Sequence, residues 1–132
     1  DAAGESVTVT KWESKRITAA EIAGSGLSAP SVQTVTSSAT VTPLSTNDLV
    51  EVTAQAAALT IAAPSGSPVN GWGLVIRVKD DGTPRGITWN AIFRVIGVTL
   101  PTTTVANKQL YVATIYNSAA SAWDVVAVGV QA

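Results

Sequence analysis

Short runs in which every second residue is apolar recur from Ser6 to Val130. Successive side chains of a β-strand point to opposite faces, so such runs specify half-buried strands. "SVTVTKW" (Ser6 to Trp12) sets Val7 and Val9 against Thr8 and Thr10. "VQTVTSSATVTP" (Val32 to Pro43) is rich in Thr and Ser and reads as a solvated edge strand ended by Pro43. "LVEVTA" (Leu49 to Ala54) and "ALTIAAP" (Ala58 to Pro64) aim Leu49 or Val50, with Val52, Leu59 and Ile61, at a core. "LVIRV" (Leu74 to Val78) is the longest apolar run and reads as a central strand. "LYVATIYN" (Leu110 to Asn117) and "AWDVVAVGV" (Ala122 to Val130) flank "SAAS" and predict a hairpin. Tyr111, Ala113 and Ile115 then share one face, and Val112, Thr114 and Tyr116 the other. "STND" (Ser45 to Asp48) and the Gly/Pro-rich "SGSPVNGWG" (Ser65 to Gly73) punctuate these runs, and "TTTVANKQ" (Thr102 to Gln109) is a polar connection. "NAIFRVIGVTLP" (Asn90 to Pro101) predicts a bend after Trp89 and then short extended segments. About nine short strands with regular turns predict an all-β chain, an antiparallel β-sandwich or jelly-roll-like fold.

One stretch breaks the rhythm. "ESKRITAAEIAGSGLSAP" (Glu13 to Pro30) admits two readings. One is a helical turn over Thr18 to Ile22, with Thr18 as N-cap, Glu21 at the third position and Gly24 and Gly26 as stops. The other is an extended arm. Lys11, Glu13, Lys15, Arg16 and Glu21 concentrate charge before residue 22, and the long apolar runs come only after Pro43. The expected division is therefore an N-terminal arm or assembly segment over residues 1–40 and a β-sandwich domain over 41–132. An arm with little core of its own gains order by lying across a neighbouring subunit.

"VIRVKDDGTPRGITWN" (Val75 to Asn90) holds the densest charge of the later chain. Asp-Gly supplies the positive φ angles of a tight hairpin, and Pro84 fixes a further bend. Lys79 and Arg85 then flank the turn on opposing strands and pair with Asp80 or Asp81. Exposed pairs of this kind are worth about 0–1 kcal/mol. The functional alternative is ligand contact at the tip.

The missing residue types exclude more chemistry than the present ones suggest. Of 132 residues, none is His, Cys or Met. The usual near-neutral acid/base group is absent, and so are thiolate nucleophiles and soft metal sites. The carboxylates Glu5, Glu13, Glu21, Asp48, Glu51, Asp80, Asp81 and Asp124 are scattered, without the spacing of a calcium loop. Neither "NGWG" nor "GSGLSAP" is a phosphate loop. No enzyme, metal or cofactor is expected. A formal net charge of -1 provides no field for nucleic acid or an anionic membrane. No apolar run approaches the roughly 18 residues of a membrane span, and no secretory-signal pattern is legible after Asp1. Among the aromatics, Trp72 in its glycine-rich loop is the best candidate for stacking on a sugar ring. The plainer reading packs Trp89 and Trp123 in the core and sets Trp72 at a sandwich end or interface.

From Val41 to Ala132 the chain resembles a β-rich domain recurring at the C-terminal ends of tailed-bacteriophage virion proteins. The pieces that carry the resemblance are "AAPSGSPVNG" (Ala62 to Gly71), "IRVKDDGTPRGITWN" (Ile76 to Asn90), "LPTTTVANKQLYV" (Leu100 to Val112) and "IYNSAASAWDVVAV" (Ile115 to Val128). Trp72 departs from it, standing where a polar residue is expected. The resemblance implies a virion module working as a homo-oligomer, often a homotrimer, with no catalytic residues. The expected role is capsid decoration or cement, with the major capsid protein as partner. A tail-fibre or receptor-binding module is the runner-up, with loops Gly66 to Gly73 and Asp80 to Arg85 touching host glycan or protein. A carbohydrate-binding module is a third reading. Expected interface or ligand contacts are Trp12, Lys15, Arg16, Trp72, Asp80, Asp81 and Arg85.

Overall fold

The computed structural model describes residues 29–132, and these are all-β, with nine strands and no helix. The strands are β1 (Val32–Val35), β2 (Thr40–Val41), β3 (Leu49–Gln55), β4 (Leu59–Ile61), β5 (Gly73–Asp80), β6 (Ile87–Trp89), β7 (Phe93–Val95), β8 (Leu110–Asn117) and β9 (Ala122–Val130). The Ser6 to Trp12 strand, the two readings of Thr18 to Ile22 and most of the expected arm lie outside the described residues. The expected boundary between residues 40 and 41 falls inside β2.

The first six strands alternate between two sheets. β1, β3 and β5 run parallel in a six-stranded sheet of order β1-β3-β5-β8-β9-β7, and β2, β4 and β6 run parallel in a three-stranded one. The chain thus winds through three stacked coils. Parallel neighbours need a long crossover, usually a helix; here each crossover is a strand of the opposite sheet with its two corners. The β8–β9 hairpin then adds to β5 antiparallel, and β7 pairs with β9 in parallel.

The all-β expectation and the terminal hairpin hold, and "LVIRV" is a central strand between β3 and β8. The antiparallel expectation does not: five of the strand pairings are parallel and two antiparallel. Alternation fixes the face a side chain points to, not the direction of the neighbouring strand. The reading of Asp80 to Arg85 as a hairpin is corrected on the same ground. Gly82 does take a positive φ, +103°. The turn nonetheless leads out of the large sheet, and β6 joins the small sheet beside β4. "VQTVTSSATVTP" is likewise split: β1 is an edge strand as expected, while β2 belongs to the other sheet.

One apolar cluster joins the two sheets. The large sheet contributes registered rows, Val50–Ile76–Val112 and Val52–Val78–Leu110 among them. The small sheet contributes Val41, Leu59, Ile61 and Ile87. Each fully buried aliphatic side chain stabilises by about 1.5–3 kcal/mol. Trp123 is the largest fully buried side chain. It packs with the Tyr116 ring at 5.2 Å between centroids, while Trp89 meets Phe93 edge-on at 5.5 Å.

Polar side chains hold the coil corners. The Gln55 amide accepts the Ser38 N–H at 3.1 Å and donates to the Ser38 and Ala57 carbonyls at 2.7 and 2.9 Å. Its own carbonyl accepts the Asp81 N–H. A single residue therefore ties the corners of all three coils. In the first coil, Gln33 donates to the Thr42 carbonyl and accepts the Leu44 N–H, joining β1 to the segment after β2.

Candidate functional site

The charged corner at Asp80 to Arg85 separates into a buried structural part and a surface part. Asp80 is 2% exposed. One carboxylate oxygen accepts the Thr104 hydroxyl at 2.6 Å, and the other accepts the backbone N–H groups of Asn107 at 2.8 Å and Gly82 at 3.0 Å. Thr104 in turn accepts the Arg85 N–H. Asp80 therefore pins the connection after β7 against the end of β5. Burial pushes its carboxyl pKa up; the bonds from Thr104, Asn107 and Gly82 outweigh this and hold it below the ordinary value.

A carboxylate with a depressed folded pKa contributes stability above its unfolded pKa, about 3.9, and loses it as pH falls through the lower folded value. Thermal stability should therefore be steady from neutral pH to about 4 as far as Asp80 is concerned, and fall below it. Asp80→Asn should lower stability at pH 7 by about 1–3 kcal/mol and make the acid decline shallower. Melting curves across pH check this, and an unchanged acid slope in Asp80→Asn rules Asp80 out as its source.

Asp81 and Arg85 form the expected pair, with both carboxylate oxygens on the Arg85 guanidinium. The Arg85 bonds hold the Asp81 pKa down. With Arg85 also bonded through its backbone, this pair orders the corner. Trp72 is half-buried and packs against the core cluster. Its backbone brackets Tyr116, whose N–H donates to the Trp72 carbonyl. Trp12, Lys15 and Arg16 lie outside the described residues. The structure thus brings Asp80, Asp81 and Arg85 together and leaves Trp72 in a different loop, before β5.

The outer face of the six-stranded sheet is more distinctive. Registered neighbours Val32, Leu49, Val75, Ala113 and Ala127 form an apolar row across five strands. Beside it runs a polar row of Thr34, Glu51, Arg77 and Tyr111. Thr34 donates to Glu51, Arg77 forms an ion pair with Glu51, and Arg77 also donates to the Tyr111 hydroxyl while lying over its ring. On the other side, Arg94 of β7 clasps Asp124 of β9 through Nε at 2.7 Å and Nη2 at 3.0 Å. The Arg94 bonds hold the Asp124 pKa down, against a smaller effect of burial.

Next to that pair lies a shallow cleft of about 430 Å³. Ile96, Ile115 and Val126 give it an apolar lining, and Asn70, Asn117 and Asp124 a polar one. Among the described residues, no group of three or more His, Cys, Asp or Glu is placed to hold a metal. Comparison with family models, with curated proteins and with solved structures gives no significant match.

Proposed function

We propose that this chain is a structural protein of a tailed-phage virion, a capsid decoration or cement protein acting as a sandwich-like homo-oligomeric module. The observation that carries the reading is the apolar row Val32–Leu49–Val75–Ala113–Ala127. It lies on a sheet face that no other described element covers, flanked by charges already paired within the chain. Val32 and Ala127 are exposed and Leu49, Val75 and Ala113 half-buried, and an apolar strip of this kind rimmed by polar groups marks a protein contact. Ala113 and Ala127 keep its β8–β9 end flat, which suits another surface laid against it. The resemblance from Val41 to Ala132 supplies the virion setting. Attachment works by mass action: many weak, identical contacts favour the folded, assembled state.

The test is co-sedimentation with expanded heads of the encoding phage. Bound protein should saturate at a copy number set by the shell lattice. Ala127→Glu should abolish attachment while changing stability by no more than about 0.5 kcal/mol, as is usual for exposed positions. Binding to host cells with no binding to any shell would replace this reading with the tail-fibre one.

A further inference from the structure

We infer that the cleft lined by β8, β9, Ile96 just after β7 and the loop before β5 is a binding site for a neutral pyranose unit. The geometry begins with fixed polar groups. The Asn117 Oδ1 accepts the N–H groups of Ala119 and Ala120 at 3.1 and 3.2 Å, and its Nδ2 donates to Asp124 at 3.2 Å. The Asn70 Oδ1 accepts the Ser118 N–H at 2.9 Å, which fixes the amide and leaves its Nδ2 hydrogens as donors. Asp124 is held by Arg94. What is left to a ligand is the Asn70 Nδ2 hydrogens, the second Asn117 Nδ2 hydrogen and the remaining acceptor site on Asp124 Oδ1, in orientations set before any ligand arrives, which reduces the ordering cost of binding.

Charge selects the ligand class. Asp124, the one charged residue of the lining, is neutralised by Arg94, so the cleft offers no net charge to attract an ion. What remains is a neutral ligand that both donates and accepts, and hydroxyl groups do this. The apolar lining asks for an apolar face on the same molecule: Ile96, Ile115 and Val126 are 48%, 44% and 42% exposed. A pyranose ring, with hydroxyls at its edge and C–H groups on its face, has both. The cleft is open and the ligand small, so affinity for one ring is on the order of millimolar. The ring belongs either to a free saccharide or to a surface glycan; the cleft sees the same chemistry. This site is separate from Trp72, which the sequence favours for sugar stacking, and it does not rest on the shell reading.

The test is a titration of the isotope-labelled protein with uncharged methyl glycosides, followed by amide NMR, with an array of neutral and acidic glycans alongside. Saturating shifts confined to Asn70, Gly71, Asn117, Ser118 and Val126 are expected. Val126→Glu and Ile115→Lys, both at exposed positions, should each weaken binding by roughly tenfold or more while preserving the spectrum elsewhere. Array binding identifies a glycan as the source, and binding of glycosides alone a free saccharide. No shifts with any neutral glycoside, shifts elsewhere, binding of acidic glycans only, or binding untouched by both variants would overturn the inference. So would shifts at these residues that depend on protein concentration alone, which would make the cleft a contact between copies. Shell attachment is read by sedimentation, so either result can fail without the other.

Discussion

Trp123→Ala is expected to lower stability by about 3–5 kcal/mol, the range for deleting a buried aromatic and leaving a cavity. Trp123 is 1% exposed and sits in β9 between two partners in register, Tyr116 on β8 and Phe93 on β7. Its backbone N–H donates to the Ile92 carbonyl, which starts the β7–β9 pairing. Removing the indole takes away the surface on which both neighbours lean. A domain of this size has roughly 5–15 kcal/mol in total, so the variant should melt about 15–25 °C lower. Trp123→Phe keeps most of the volume and should lose less than half as much. The effect reaches the surface too: Asp124 is the next residue, and β7 carries Arg94, so exchange protection at Arg94 and Val95 should fall first. Calorimetry and hydrogen exchange check both parts; a loss of only a few degrees would show that Tyr116 and Phe93 close the gap unaided.

Much of the inner face was legible because burial leaves a period-two trace. Val52, Leu59, Ile61, Val112 and Thr114 all point inward as the alternation requires, and Val50 rather than Leu49 takes the core position on β3. Of the two tryptophans that the plainer reading packs in the core, Trp123 is fully buried and Trp89 half-buried against it. Strand direction was not legible, since parallel and antiparallel strands use the same alternation. A clue lay in "LVIRV", where Val75 sets an apolar residue on the outward face as well, a pattern commoner in strands of parallel sheets. Read that way, the outward Val75 marks both the parallel pairing of β5 with β3 and the apolar row on the outer face. Thr104 and Gln55 left no such trace. Thr104 sits in a polar connection and Gln55 at the end of a strand, where composition assigns both to solvent. Yet they are 2% and 0% exposed, because a wound chain must satisfy the backbone groups at its corners from within. Asp80 misleads in the same way: a carboxylate in a glycine turn looks solvated, and here it binds a loop that arrives from 24 residues away.

The same corner logic makes Gln55→Leu the second large expected effect. The substitution keeps the apolar stem but removes one acceptor and two donated hydrogen bonds from a fully buried site. The Ser38 N–H, the Ser38 carbonyl and the Ala57 carbonyl then lose their partners. Each lost hydrogen bond is worth about 0.5–1.5 kcal/mol net, so three at once should cost on the order of 3 kcal/mol, short of full additivity. Gln55→Glu separates this account from simple packing. An ionised carboxylate has nearly the same shape but cannot donate, and it would face two carbonyl oxygens. At neutral pH it should be at least as damaging as leucine. Burial beside acceptors raises the carboxyl pKa in the folded state, so that variant alone should regain stability as pH falls and the group protonates. Urea denaturation of both variants at pH 7 and near pH 5 measures the difference. If Gln55→Leu matches the parent, the corners are held by strand pairing alone, and the three coils do not depend on this glutamine.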